Sequence, residues 1–177
     1  MTDPATTRDN TFRVLAEILR CGPVEGRVRL QKLMFLMRER GLTELDGVEF
    51  TYHHYGPYSA LAMDIVQDAV AADLVEEKRE TFDDEWQRFQ YSLTEAADRL
   101  SRLPAPSRDL VRRVVEASRD VHWRSLELAA TAEFLEDEGL SPTEAWTRAL
   151  KLKPACEPHA DEARSLVDAL PARRVQG

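Results

Sequence analysis

The residues of this chain best suited to metal or nucleophilic chemistry are four histidines and two cysteines. Their spacing points away from both. His53 and His54 are adjacent, and adjacent side chains of an extended segment point to opposite faces, so they do not readily share one ion. His122 and His159 stand in no motif that brings them near. Cys21 and Cys156 lack zinc-ligand spacing and form no disulfide framework, so free thiols in a reducing cytoplasm are expected, and whether the two meet is left open. No Gly-x-Ser-x-Gly turn or Gly-rich phosphate loop is present among the seven glycines. Asp83, Asp84 and Glu85 admit a reading as paired catalytic acids. A solvated hairpin tip explains them better, because acids that work as a pair need burial to move a pKa. No catalytic residue, no metal site and no cofactor are expected.

A denser signal is the aromatic run Tyr52, Tyr55 and Tyr58 around Gly56-Pro57. It has two readings. In one the rings pack the junction between the second and third helices and Gly-Pro sets the turn. In the other, His54, Tyr55, Gly56, Pro57, Tyr58 and Ser59 form a contact surface, since tyrosine offers large area at low entropy cost. Ser59 stands where a helix N-cap should, and that helix N-terminus could receive an anion.

Net charge is −8, which disfavours attraction to nucleic acid or anionic membranes. The balance is uneven: residues 1–42 hold eight Lys or Arg against five acids. Nucleic-acid contact, if made, falls to Arg8, Arg13, Arg29 and Lys32, expected on the surface of the first two helices. A homodimer would recruit Arg112, Arg113 and Arg119 as well. No apolar run approaches the ~18 residues of a membrane span, and the N-terminus has no apolar leader, so a soluble cytoplasmic protein is expected.

The elements that must position these residues follow from periodicity. Apolar spacing predicts helices over 11–20 and 27–40, the first ended by Gly22-Pro23 and the second by Gly41. In the second, Phe35 and Leu36 fall off the main stripe, so it packs on more than one side. An extended segment over 48–58 runs into the Gly-Pro turn. A third helix follows Ser59, with Asp64, Gln67 and Asp68 on its polar face. Residues 74–78 and 88–93 predict two antiparallel strands, Phe89, Tyr91 and Leu93 alternating with polar residues. Thr94 caps a short helix to Leu103, and Pro104-Ala105-Pro106 divides the chain. Beyond it lie helices from Ser107 to Trp123, Leu126 to Glu138, Ser141 to Lys153 and Pro158 to Leu170. Ser141-Pro142-Thr143-Glu144 is a capping-box start. The expected fold is mainly α: a winged-helix-like unit with a β-hairpin wing over 1–103, then a C-terminal helical bundle over 107–170, packed as one compact domain.

RLQKLMFLM, FTYHHYGPYSALAMDIVQDAVAADLVEE, YSLTEAADRL and LELAATAEFLEDEG with SPTEAW and LKLKP together resemble the YwgA-like family of bacterial and archaeal proteins, across most of 12–170. Tyr55 to Ser59 is the most specific piece. More distantly, Gln31 to Leu33 and Gly56-Pro57 resemble the Panacea-domain antitoxins. The resemblance implies a winged-helix-like fold and a regulatory or adaptor role without catalysis. Two functions stay open: a non-enzymatic adaptor with a protein partner, antitoxin-like in type, or a DNA-binding transcriptional regulator. Fold analogy favours the second. The first is favoured by charge, because residues 59–77 contain no Lys or Arg and the hairpin adds four acids.

Overall fold

The first helix, α1 (Pro4–Arg20), begins a full turn and more before the expected residue 11. The start signal is Asp3-Pro4: the Asp3 carboxylate accepts from the Thr6 amide at 3.2 Å, and Pro4 takes the first position, where its missing N–H costs nothing. The break after it holds a two-residue strand, β1 (Val24–Glu25), which the periodicity did not signal. α2 (Arg27–Glu39) follows, buried over nearly its whole length from Leu30 to Met37. This computed structural model describes residues 3–82 and 86–174. The acidic triplet Asp83-Asp84-Glu85 lies outside the described residues.

The extended segment resolves into a small antiparallel hairpin, β2 (Thr51–His53) with β3 (Gly56–Tyr58). Ser59 then caps α3 (Ala60–Ala71), its hydroxyl accepting from the Ala62 amide at 3.3 Å. The two expected strands are longer than the alternation suggested: β4 (Val75–Phe82) and β5 (Trp86–Leu93) pair antiparallel, in unbroken register from Val75 opposite Leu93 to Phe82 opposite Trp86. With no bulge, Tyr91 is fully buried and Phe89 packs against the core beside it. β1 adds to the free edge of β5, giving the order β1-β5-β4.

α4 (Glu95–Asp98) is a single turn and stops short of the expected Leu103. α5 (Ala105–Ser118) starts inside the Pro-Ala-Pro break, with Pro104 as its N-cap residue. α6 (Trp123–Asp137) is capped by His122, whose Nδ1 accepts from the Arg124 amide at 3.2 Å. α7 (Pro142–Leu152) has both capping-box bonds of Ser141 and Glu144. A 3-10 segment (Pro154–His159) leads into α8 (Ala160–Ala169).

α6 is the centre of the molecule. Every residue from Ser125 to Phe134 is buried, and the small side chains Ala129, Ala130 and Ala132 let neighbouring helices approach closely. One hydrophobic cluster draws on both halves of the chain, from Val14 and Leu33 to Leu128 and Leu166. α2 and α6 are also joined by a buried ion pair: Arg40 embraces the Glu133 carboxylate through both terminal nitrogens, with side chains 1% and 2% exposed. The segment after α8 is strapped on here, the Arg174 amide donating to Glu39 O at 2.9 Å and Arg173 bridging Glu39 and Glu136. Among the described residues no helix is long and apolar enough to cross a membrane.

Candidate functional site

The aromatic hairpin is held from three sides. From α2, the Gln31 side chain donates to Ser59 O and accepts from the Ser59 amide, both at 2.9 Å. The next residue, Lys32, donates to Pro57 O at 2.6 Å. From the end of α7, Lys153 donates to His54 O and pairs with Glu127 of α6 at 2.9 Å. Backbone groups of a hairpin too short to pair all of its own polar atoms thus find side-chain partners. Gly56 completes the fit. Its φ is +81°, in the left-handed region, and a Cβ there would stand 2.5 Å from Thr131 Oγ1, so both conformation and space require glycine.

The surface placement expected for Lys32 is therefore overturned: the residue is 1% exposed. Burial draws its ammonium down to about 7, with Glu127 pulling back up and Lys153 pushing further down. The reason is α2 itself. A helix covered on all sides leaves no solvent for any of its middle residues, and the long stem of a lysine packs well once its nitrogen finds an acceptor. Arg29 is also committed, donating to Ser118 O at 2.8 Å and Val121 O at 2.5 Å across to α5. Arg13 reaches Arg102 O at 2.6 Å, and Arg8 pairs with Asp68 of α3. The four side chains expected to meet phosphate are thus tied to the protein itself.

Of the expected contact residues, His54 and Tyr55 are exposed, Tyr58 is half-buried against the core, and Gly56, Pro57 and Ser59 are buried. The last three position the hairpin and do not present a surface. The structure adds neighbours that no motif announced. Tyr55 meets Trp123 edge-on at 6.5 Å, the His122 ring lies 5.9 Å from Trp123, and His122 stacks on His159 at 4.1 Å, only 5° from parallel. Burial and His159 together hold His122 below its usual value.

No family model, curated protein or solved structure matches this chain.

A cavity of about 380 Å³ opens between α2, the β2–β3 hairpin and α3, with Gln31, Lys32, Gly56 and Tyr58 on its wall. A second groove of about 540 Å³ runs between α1 and α5 and gathers Arg20, Arg102, Arg108, Arg112 and Arg119 around Glu17. Much of its charge is spent. Glu17 binds Arg20 and Arg102, while Arg112 pairs with Asp109 and Glu116. Among the described residues no group of His, Cys, Asp and Glu has the arrangement to hold a metal ion. Cys21 and Cys156 are both free; burial pushes the Cys156 thiol up to about 11, and Glu127 beside it adds to the effect.

Sequence reasoning missed Lys153 and Glu127, and it missed that Gln31 and Lys32 turn inward. One signal was present: Phe35 and Leu36 lie off the apolar stripe, and a helix packed on two sides must bury some polar neighbours as well.

Proposed function

We propose that this chain is a non-enzymatic regulatory or adaptor protein that uses a winged-helix-like scaffold for protein–protein interaction, antitoxin-like in type. The scaffold reading is supported by the element order α1, β1, α2, α3 and the β4–β5 hairpin, with β1 lying along β5. In it the hairpin is the wing and α5 to α8 form the C-terminal bundle. The YwgA-like resemblance argues in the same direction.

One observation carries the interaction reading: Tyr55 and Trp123, 55% and 38% exposed, touch each other on the surface, beside the stacked pair of histidines. Single exposed aromatics are ordinary, whereas contiguous ones mark contact surfaces. Aromatic anchors dominate binding energy when their positions are set beforehand. Here Gln31, Lys32 and Lys153 hold the hairpin that bears Tyr55.

The alternative is a DNA-binding transcriptional regulator. Asp64 and Asp68 are exposed on α3, the helix that would enter a groove, and oppose that reading. The arginine groove between α1 and α5 favours it, because Arg108 makes no side-chain ion pair or hydrogen bond among the described residues. A homodimer would bring two such grooves together.

The test is affinity capture with the full chain, followed by reconstitution with the purified captured protein. Tyr55→Ala with Trp123→Ala is expected to weaken that reconstituted complex by about 2 kcal/mol, roughly thirtyfold. A duplex-DNA mobility shift at low salt that Arg108→Ala weakens, with no effect of the aromatic changes on any protein partner, would move the reading to DNA.

A further inference from the structure

We propose that the cavity between α2, the β2–β3 hairpin and α3 is a binding site for a small monocarboxylate with an apolar body, its carboxylate held by Lys32. This inference does not rest on the protein-interaction reading. The volume, about 380 Å³, lies in the range of small-molecule sites. Val28, Met63 and Tyr58 supply apolar wall, which suits a hydrocarbon or aromatic body. Its nitrogen bases are Arg27 and Lys32 from α2 and His53 and His54 from the hairpin, with the phenols of Tyr55 and Tyr58 beside them. No Asp or Glu stands among its described lining residues, in a chain whose net charge is −8.

The decisive feature is the charge balance behind that wall. An ammonium has three donors. Among the described residues Lys32 has one acceptor, Pro57 O. The carboxylate that acts on it, Glu127, is already bonded to Lys153, so two buried cations share one anion. Arg27 is likewise spent on Tyr91 and Glu77. Glu127 and Lys153 balance while Lys32 is neutral; once Lys32 is protonated the cluster is one negative charge short, and one is what a monocarboxylate brings. A phosphate dianion would overshoot in an apolar site, where an unpaired charge is costly.

The site also makes a proton-linked prediction. With its ammonium drawn down to about 7, Lys32 is mostly neutral at pH 8 in the empty protein. A carboxylate seated beside it favours the charged form, so binding takes up a proton. The charged groups acting on it are Glu127 from α6 and Lys153 from the end of α7, and the cavity wall adds Arg27 from its own helix and His53, His54, Tyr55 and Tyr58 from the hairpin. From α3 the cavity receives Met63 and Gln67, neither charged.

The experiment is calorimetry of the full chain at pH 8 with benzoate and hexanoate, and with neutral benzamide as control. It is run in two buffers of different ionisation heat. The expected result is saturable binding of at least one carboxylate, uptake approaching one proton per site, and benzamide weaker by about tenfold or more. Gln67→Trp, a change at an exposed residue on the cavity wall, should remove binding while leaving the melting temperature in place. Lys32→Met should abolish binding; if that variant does not fold, proton uptake and Gln67→Trp decide. Absence of saturable binding of both carboxylates at millimolar concentration, equal binding of benzamide, binding without proton uptake, or binding that survives Gln67→Trp would each overturn the proposal.

Discussion

Gln31 and Ser59 hold each other by two hydrogen bonds that run in opposite directions, each 2.9 Å long, so that a helix side chain pairs with a backbone as a neighbouring strand would. Ser59 is 1% exposed, and neither backbone group has water to fall back on. Gln31→Ala strands the buried Ser59 N–H and leaves Ser59 O with only the Met63 amide, at 3.3 Å, and a loss of roughly 1–3 kcal/mol is expected. Gln31→Glu keeps the acceptor but sets a carboxylate against Ser59 O. It should be worse than Ala at neutral pH and partly recover on acidification. Urea unfolding of the two variants checks this, and an unchanged midpoint in Gln31→Ala would remove the pairing from the account of stability.

Lys32 predicts how stability depends on pH. Its folded value, about 7, lies below the 10.5 of a free lysine. Between those values the unfolded chain holds the proton and the folded chain does not, so stability rises with pH across this window. Below about 7 the buried charge costs its full amount. The slope from one such proton is at most about 1.4 kcal/mol per pH unit. Lys32→Met should flatten the rise between pH 7 and pH 10. Denaturation midpoints at three pH values suffice, and parallel profiles for the two proteins would contradict the buried titration.

Tyr58 and Tyr55 sit three residues apart on one hairpin but should behave oppositely. Tyr58 is half-buried, its ring 4.8 Å from that of His53, so Tyr58→Ala is expected to cost roughly 2 kcal/mol, less than a fully buried aromatic. Tyr55 is 55% exposed, and Tyr55→Ala should stay within about 0.5 kcal/mol. Thermal melts separate the two, and a large loss for Tyr55 would count against its being a free surface.

Arg40 and Glu133 provide the strongest expected single-site effect. Removing the guanidinium leaves a carboxylate buried with no partner of comparable strength, so Arg40→Ala should destabilise by about 3–5 kcal/mol. Replacing both residues with leucine should cost less than that one truncation, because no buried charge is then left alone. The comparison of single and double variants by urea unfolding tests it. A double change as harmful as the single would assign the effect to packing.

Much of the local structure was legible in the residues themselves. The Ser141 capping box, the Ser59 cap and the alternation of Phe89, Tyr91 and Leu93 are short-range patterns, and each became the element it suggested, whereas the turn expected at Gly56-Pro57 falls at His54-Tyr55 and Gly56-Pro57 opens β3, paired with Tyr52 and His53. Ends were less legible: Asp3-Pro4 started α1 early, and the long β4 and β5 outran their apolar alternation because backbone pairing continues where side chains no longer need burial.

The sequence by itself determined the mainly helical content, the hairpin and the acidic face of α3, because helix period, strand alternation and charge are properties of neighbouring residues. Tertiary structure alone decided what each polar side chain meets. Lys32 reads as a solvated basic residue until α6 and the β2–β3 hairpin close over α2, and Glu127 and Lys153 become partners only when α6 and the end of α7 come together. The same holds for His122 and His159, stacked across 37 positions of chain, and for Tyr55 and Trp123. The physical reason is that a helix carries its own pattern of faces, while which element covers each face depends on contacts between residues distant in sequence.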